Sequence, residues 1–393
     1  MRKIIPLIII VSLLLTGCGS SVYSNYRDVE QLQLIRTVGI DVPEDGQGVI
    51  LSVSSGADTG ENPPLLLSVR ESSVVTAAER LQEYAARETL YFAHTRFLLL
   101  GQSAAENGIA EYLDYVQRSG ALREDVKLFL VQDAEAKTLI TGSGEEKYDV
   151  TDKLDALLRD LEKQNGEPVF SCAEVSRAIA ENGAALVHAI APAAAEGVVF
   201  SGGKGLDALS MGYGILRGDT LAGWITGDAA IGAELLLGSP AGGAVTVSVP
   251  DAGRVTLTLR GGGTKLTPEW DEKGNLVSVR AAGEISAEVT ETEHPAARNA
   301  PGFEDAVLRA LEKKCEKWLR DALALASRLN ADAFALGRTL RRQDARAFDA
   351  MPRPWAETFP LLLYNVSVRA SLPGEKDSAP SLSIGRHGEG AAK

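Results

Sequence analysis

The amino-acid sequence predicts an α+β protein of several domains, with mixed and antiparallel sheets packed against helices. Its first half alternates short apolar runs with amphipathic helical repeats, which is typical of strands connected by helices. Its second half, from residue 211, has long segments in which apolar and polar residues alternate, then one long helical repeat and a closing strand. The 393 residues are too many for one ordinary domain and indicate two or three.

The amino terminus predicts export and lipid attachment. Arg2 and Lys3 precede an apolar run over 4–15, which is too short to span roughly 30 Å of hydrocarbon but has the form of a signal peptide. The run ends in Leu-Thr-Gly-Cys at 15–18, which is similar to the cleavage signal of bacterial lipoproteins. We therefore expect 1–17 to be removed and Cys18 to carry an S-linked diacylglycerol and an N-acyl group. An ordinary signal peptide followed by a chance cysteine is the alternative.

A lipidated polar tether over 18–33 precedes a predicted N-terminal α/β domain over 34–140. The polar turn at 43–46 separates the first two apolar segments, which favours a hairpin. The later strands of this domain are separated by helices, which indicates a mixed sheet. The expected strands are 34–41, 48–55, 65–70, 97–100 and 126–131, and the expected helices are 74–89 and 104–118.

A middle region over 141–205 is predicted to be helical and mixed. Leucines spaced three and four residues apart predict an amphipathic helix over 152–164. The Ser-x-x-Glu pattern at 171–174 is that of a capping box, and Gly183 is placed to end the helix that this box opens. We expect the alanine-rich segment at 189–196 to lead into the next domain.

A C-terminal α+β domain is predicted over 206–372. Valine and leucine alternate with threonine and serine, which predicts strands with one buried face. This pattern, followed by helices, indicates an antiparallel sheet with one face covered by helices. The Gly-, Ser- and Pro-rich segment 373–393 is expected to be a disordered tail. The expected strands are 245–249, 255–259, 276–289 and 362–371, and the expected helices are 303–329 and 331–340.

The charge of the chain argues against one class of partner. The formal net charge is −13, whereas nucleic-acid binding depends on clustered Lys and Arg side chains. The same acidity is expected to keep the folded body away from an anionic lipid surface. After residue 18, no apolar segment approaches the roughly 20 residues of a membrane-spanning helix, so the lipid is the expected anchor.

The sequence has no recognisable catalytic or metal-binding pattern. Its four histidines are isolated from other ligand-type residues; they are His94, His188, His294 and His387. Three aspartates over 149–155 lack the glycine and terminal glutamate of a calcium loop, and they suit the positive end of a helix dipole. We therefore expect a non-enzymatic protein with no cofactor and no metal ion.

Two glycine-containing segments, two cysteines and one tryptophan have structural interpretations. The segment 201–205 lacks the Ser or Thr that follows the lysine of a phosphate loop, so an interdomain turn is expected there, and 261–263 is expected to be another turn. Cys172 and Cys315 fit no metal spacing. Buried free thiols are the favoured interpretation, and a disulfide stays open. Trp355 is expected to pack before the closing strand, with display to a partner as the alternative.

Four groups of segments follow one another along nearly the whole mature chain. They are Leu-Thr-Gly-Cys at 15–18 with 26–32 and Val-Gly-Ile-Asp at 38–41; 90–101 with His94 and 108–118; 213–224; and 331–337 with Trp355 and 364–368. In this order they resemble the Ger(x)C family, the lipoprotein C subunits of nutrient germinant receptors in endospore-forming bacteria. One departure is Gly19 and Ser20, where the family often has Trp-Asp directly after the lipidated cysteine.

The resemblance implies a three-domain α+β protein on the outer face of the spore's inner membrane. Its implied partners are a membrane-embedded A subunit and a transporter-like B subunit of the receptor, together with the lipid bilayer through Cys18. The family has no catalytic residues to transfer to this sequence. The resemblance therefore implies a non-enzymatic component that nutrient-triggered germination requires.

An extracytoplasmic solute-binding lipoprotein of a transporter is the alternative function. Such a protein has two α/β lobes around a ligand cleft, with hinge strands that cross between the lobes. The alternating strands and the long helix of the second half favour the receptor subunit instead.

Overall fold

The computed structural model describes residues 32–56, 64–85, 88–142, 149–193, 207–238 and 243–373. The predicted signal peptide, most of the tether with Cys18, the segment 201–205 and the tail with His387 lie outside the described residues. The strands are β1 (Leu32–Leu34), β2 (Thr37–Asp41), β3 (Val49–Ser54), β4 (Leu66–Glu71), β5 (Thr89–Tyr91), β6 (Phe97–Gly101), β7 (Lys127–Val131), β8 (Ala184–Ala193), β9 (Asp207–Arg217), β10 (Thr220–Ile225), β11 (Ala244–Val249), β12 (Gly253–Trp270), β13 (Leu276–Thr292) and β14 (Leu363–Ser371).

The helices lie between these strands and cover both sheets. They are α1 (Val74–Tyr84), α2 (Gln102–Asn107), α3 (Ala110–Ser119), α4 (Ala136–Thr141), α5 (Val150–Arg159), α6 (Cys172–Asn182), α7 (Asp228–Leu237), α8 (Phe303–Arg328), α9 (Leu336–Gln343), α10 (Ala345–Asp349) and α11 (Trp355–Thr358). The combination of mixed sheets with packed helices confirms the predicted α+β class.

A large mixed sheet has the strand order β10-β9-β8-β7-β6-β2-β3-β4. Its central strands β8, β7, β6 and β2 run parallel, and antiparallel pairs flank them on both sides. Parallel strands need cover on both faces. Accordingly, Leu98 and Leu100 of β6 face a core with α1, α3 and α6, whereas Phe97 and Leu99 face a core with α4 and α5.

Residues 189–193 of the alanine-rich segment, which the sequence predicts to lead into the next domain, belong to a strand. Strand β8 covers Ala184–Ala193, and residues 184–190 are buried in the middle of the large sheet. Alanine has a low intrinsic preference for strands, but pairing with β7 on one side and β9 on the other overrides it. The large sheet therefore has strands on both sides of residues 140 and 205, where the sequence predicts domain boundaries.

Two other elements of the first half are divided where the sequence predicts one. The strand predicted over 34–41 is β1 and β2, because the Ile35 N–H donates to the Tyr91 carbonyl and β1 pairs with β5 instead of the large sheet. The helix predicted over 104–118 is α2 and α3. Gly108 lies between them with a φ of +112°, outside the helical region.

The second sheet has the order β11-β12-β13-β14. β11, β12 and β13 are antiparallel as predicted, but β14 pairs parallel with β13. The prediction of a wholly antiparallel sheet is therefore wrong, because the helices between β13 and β14 form a crossover that returns the chain to the same end. The long helix predicted over 303–329 is confirmed as α8, which packs on this sheet.

The glycines at 261–263 do not form the predicted turn. They lie inside β12, where the pairing with β13 shifts register between Leu259 and Gly261. Such a bulge bends one strand of a long hairpin, and glycine removes the steric cost of the extra residue.

Within the part of the chain that the structure describes, no helix has the length and the apolar character needed to cross a membrane.

Candidate functional site

The Val-Gly-Ile-Asp segment at 38–41 ends in a buried carboxylate that holds a helix in place. The Oδ1 and Oδ2 atoms of Asp41 accept hydrogen bonds from the backbone N–H groups of Ala136 (2.6 Å) and Lys137 (2.9 Å), in the first turn of α4. Burial raises the Asp41 pKa to about 6. A Cβ atom at Gly101 would lie 2.0 Å from Oδ1, so the neighbouring strand keeps a glycine to admit this carboxylate.

A second buried aspartate organises the segment at 331–337. Asp332 accepts from the N–H groups of Leu336 (2.7 Å) and Gly337 (2.8 Å) and from Trp355 Nε1 (3.0 Å). Burial raises its pKa to about 6 as well. A Cβ at Gly337 would lie 2.6 Å from the indole nitrogen. Trp355 therefore packs in a fitted position beside α9, which confirms the packing interpretation.

A polar cluster around the buried His188 was not predicted from the sequence. The Nε2 atom of His188 lies 3.1 Å from Ser210 Oγ, and Ser210 Oγ donates to Glu167 Oε2 over 3.5 Å. The imidazole also contacts Tyr213 edge to face, with 5.2 Å between ring centroids. Glu234 of α7 lies near enough to Glu167 for their charges to interact. Residues from 167 to 234 meet here because β8 and β9 are antiparallel neighbours, a pairing with no short-range signal in the sequence.

The His188 cluster is not arranged for nucleophilic catalysis. A catalytic acid orients the imidazole from the nitrogen opposite the nucleophile, whereas Glu167 contacts Ser210. The Nδ1 atom of His188 and the hydroxyl of Tyr213 have no hydrogen-bond partner among the described residues. Burial lowers the His188 pKa to about 3, so the ring is a poor base near neutrality. Burial and the neighbouring Glu167 raise the pKa of Glu234 to about 8.

The other predicted residues have local structural roles. His94 ends a short 3₁₀ turn, with its ring centroid 5.7 Å from that of Tyr91. His294 precedes another 3₁₀ turn. Asp149 caps α5 by accepting from the Thr151 N–H over 2.8 Å, as expected for an acid at a helix amino terminus. Within the described ranges, no group of three or more His, Cys, Asp and Glu residues is placed to hold a metal ion.

Cys172 and Cys315 are free and buried in different cores, which confirms the favoured interpretation. Cys172 opens α6 and Cys315 lies in the middle of α8. Burial raises the pKa of each thiol to about 12, so both stay protonated and unreactive at neutral pH. The capping box that opens α6 is also confirmed, with Ser171 accepting from the Glu174 N–H.

The two halves of the molecule share a core. Leu186 and Ile215 of the large sheet pack in the same cluster as Ala322 and Leu323 of α8. Beside this contact is a groove of about 240 Å³ between α6 and the segment before α9, with apolar walls that include Phe334. The charged residues that line the groove are Glu174, Arg177, Glu181 and Arg338. Arg338 and Glu181 form an ion pair across the groove.

The chain matches two consecutive family models that together cover most of its length. Residues 25–192 match the spore germination protein N-terminal domain, and residues 211–374 match the spore germination B3/GerAC-like C-terminal domain. The fold and these matches define the class of the protein: it is a spore germination protein. The chain belongs to the Ger(x)C family, as the ordered segments of its sequence indicate.

Two known proteins are similar over nearly the whole chain. Spore germination protein KC of Bacillus subtilis (strain 168) is 21% identical over 380 residues, which cover 90% of each chain. The crystal structure of the GerBC protein superposes with a TM-score of 0.57 and 17% identity, covering 88% of this chain and 100% of the other. At this identity, the likeness to GerBC shows a common fold.

Proposed function

We propose that this chain is the C subunit of a nutrient germinant receptor, anchored by lipid at Cys18 and required for nutrient-triggered germination. One observation carries the proposal: the family match extends over both domains of a chain that begins with a lipoprotein-type signal ending in Cys18. The subunit stands on the outer face of the spore's inner membrane. Its partners are the membrane-embedded A and B subunits of the receptor.

The role of this subunit is structural rather than catalytic. Asp41 and Asp332 use their carboxylates to hold backbone amides. His188 is buried and weakly basic. Glu167 contacts Ser210 instead of the His188 ring, so the three residues do not have the arrangement of a catalytic triad. These arrangements support a non-catalytic role for the chain.

The shared core between the halves argues against a solute-binding lipoprotein. Closure of such a protein around its ligand needs two lobes that rotate about a hinge. Here Leu186 of the large sheet and Leu323 of α8 are buried in one cluster. Rotation of one half against the other would expose this apolar surface to water, which is unfavourable.

The anchor is tested by Cys18→Ala in spores. Loss of the thiol removes the acceptor for the diacylglycerol, so we expect the variant to lose metabolic labelling by fatty acid, to leave the membrane fraction and to reduce germination. The fold is expected to be unchanged, because Cys18 lies before the first strand. Mass spectrometry of the amino-terminal peptide gives the modification directly.

Ser21→Ala is the matched control, because it changes the tether but keeps the thiol. An unmodified Cys18 in the wild type would contradict the lipid anchor. Normal germination of Cys18→Ala spores that contain normal amounts of the protein would contradict the need for it.

A further inference from the structure

A basic cleft of about 420 Å³ opens where three parallel strands of the large sheet begin. Arg36 precedes β2, Arg96 precedes β6, and Lys127 is the first residue of β7. Since these strands are parallel neighbours, their first residues meet at one edge of the sheet. Arg123 and His94 also line the cleft.

The cleft carries more positive than negative charge. Arg123 pairs with Asp125 over 2.5 Å, and Lys127 pairs with Glu162 over 2.9 Å. Arg96 pairs with Asp155. These pairs use three cations and three carboxylates. Arg36 also lines the cleft, and its charge acts on Asp155, which already pairs with Arg96, so the four cations share three carboxylates.

The basic cleft lies beside the point where the tether enters the fold. Leu34, in the first strand that the structure describes, forms part of its wall. The segment between Cys18 and Leu32 reaches at most about 50 Å when fully extended, at ~3.5 Å per residue. Lipid on Cys18 therefore keeps this edge of the sheet within that distance of the bilayer.

We propose that the basic cleft binds the phosphate of an anionic lipid headgroup in the bilayer that carries the anchor. Guanidinium groups bind phosphate oxygens through paired N–H donors, and both Arg36 and Arg123 line the cleft. Bound phosphate compensates the positive charge by which the four cations exceed the three carboxylates. The placement of the cleft near the bilayer rests on the proposed anchor at Cys18.

This contact gives the folded body an orientation on the membrane. The net charge of −13 repels an anionic surface. Repulsion acts on the acidic surfaces, whereas the basic cleft is attracted to the anionic lipid. The end of the large sheet at which β2, β6 and β7 begin therefore turns toward the lipid. The end at which these strands finish then points away from the membrane.

Vesicle binding of the mature chain without its lipid, residues 19–393, tests the proposal. This chain keeps every residue that the structure describes. We expect it to sediment with phosphatidylcholine vesicles that contain phosphatidylglycerol, but not with phosphatidylcholine vesicles. Arg36→Gln with Arg123→Gln is expected to lower the partition coefficient about 30-fold, given the attraction of each basic residue to an anionic surface. Arg123→Glu, at an exposed position, serves if the double variant unfolds.

The matched control is Arg254→Gln with Arg260→Gln, which removes the same charge from exposed positions of β12. Equal binding by this control and by the cleft variant would overturn the proposal. Binding of inorganic phosphate that the cleft variant loses, without sedimentation of the wild-type chain with either kind of vesicle, would assign the cleft to free phosphate instead of lipid. Because the chain lacks the lipid, a failed Cys18 experiment leaves this result intact.

Discussion

Two buried aspartates, one in each half of the molecule, have the same structural role at the amino terminus of a helix. Asp41 accepts from two N–H groups in the first turn of α4, and Asp332 accepts from two in the first turn of α9. A negative charge at a helix amino terminus is stabilised by the free amides and the helix dipole. The segments 38–41 and 331–337, which carry the family resemblance, are thus explained by folding rather than by chemistry.

Asp41→Asn should destabilise the protein and change its pH dependence. The NH2 group of asparagine cannot accept a hydrogen bond from a buried N–H, whereas both oxygens of a protonated carboxyl keep acceptor lone pairs. We therefore expect a loss of about 1–3 kcal/mol in the free energy of unfolding at low pH. The wild-type pKa is raised from 3.8 to about 6, so its stabilising contribution is present below pH 3.8 and is lost as pH rises through about 6. The difference in the free energy of unfolding between the wild type and Asp41→Asn should therefore become smaller toward pH 7. Urea unfolding at several pH values measures it.

Asp45→Asn is the matched control, since Asp45 is exposed and pairs with Arg70 at the surface. Its effect should be small, as for most exposed ion pairs. Parallel pH profiles for wild type and Asp41→Asn would contradict the role of the buried carboxylate.

Sequence patterns predicted the local roles of single residues but not their long-range partners. The capping box at Ser171 was predictable because its partner is three residues away. The contact of His188 with Ser210 was not, because it depends on the register of β8 against β9. The hydrogen bond of Trp355 with Asp332 likewise joins two segments that are separated by the helices α9 and α10.

At the scale of elements, one close approach joins α7 to α8. A Cβ atom at Gly232 would lie 2.1 Å from the carbonyl oxygen of Trp318, which is backbone and cannot rotate away. Glycine at this crossing lets the two helices pack directly against each other. The neighbouring Ala233 and Leu323 are fully buried.

Gly232→Ala should therefore separate α7 from α8. We expect a loss of about 1–3 kcal/mol in the free energy of unfolding, as for other overpacked cores. Gly243→Ala is the control, because its Cβ would meet no atom within 4 Å and its φ is not in the left-handed region. Thermal unfolding compares the two variants. A Gly232→Ala protein as stable as the control would contradict the close helix crossing.

The strength of the sequence pattern decided which elements could be predicted. Helix α8 was predicted because its apolar residues repeat regularly over 26 residues. Helix α7 was missed, because Ala230, Ala233 and Leu235 are buried in a segment with no polar stripe. The parallel pairing of β14 with β13 was also missed, because strand direction depends on the path of the connecting helices.

The exposed edge of β14 shows how tertiary contacts complete an element. The N–H groups of Val368 and Ala370 donate to Glu316 (3.4 Å) and Glu312 (3.0 Å) of α8. An open strand edge invites pairing with another chain. The two glutamates occupy these donors, so this part of the edge is protected.

At the scale of the whole molecule, the two sheets form one body with a common core. Leu186 and Ile215 connect the large sheet to α8, and the Arg338–Glu181 ion pair crosses the groove beside them. Most of the helices and strands in each half of the molecule could be predicted from the sequence. The shared core does not, because β8 and β9 have buried residues on both faces and belong to two packing clusters at once.

If this chain is one subunit of a receptor, as we propose, its membrane-embedded partners are bound to it in the spore. Gentle detergent extraction of spore membranes, affinity capture of the chain and mass spectrometry of the captured proteins test it most directly. We expect the captured material to contain two integral membrane proteins, the A and B subunits, in amounts comparable to the chain. Capture of the chain with a small molecule and without membrane-protein partners would contradict the account and favour a solute-binding lipoprotein.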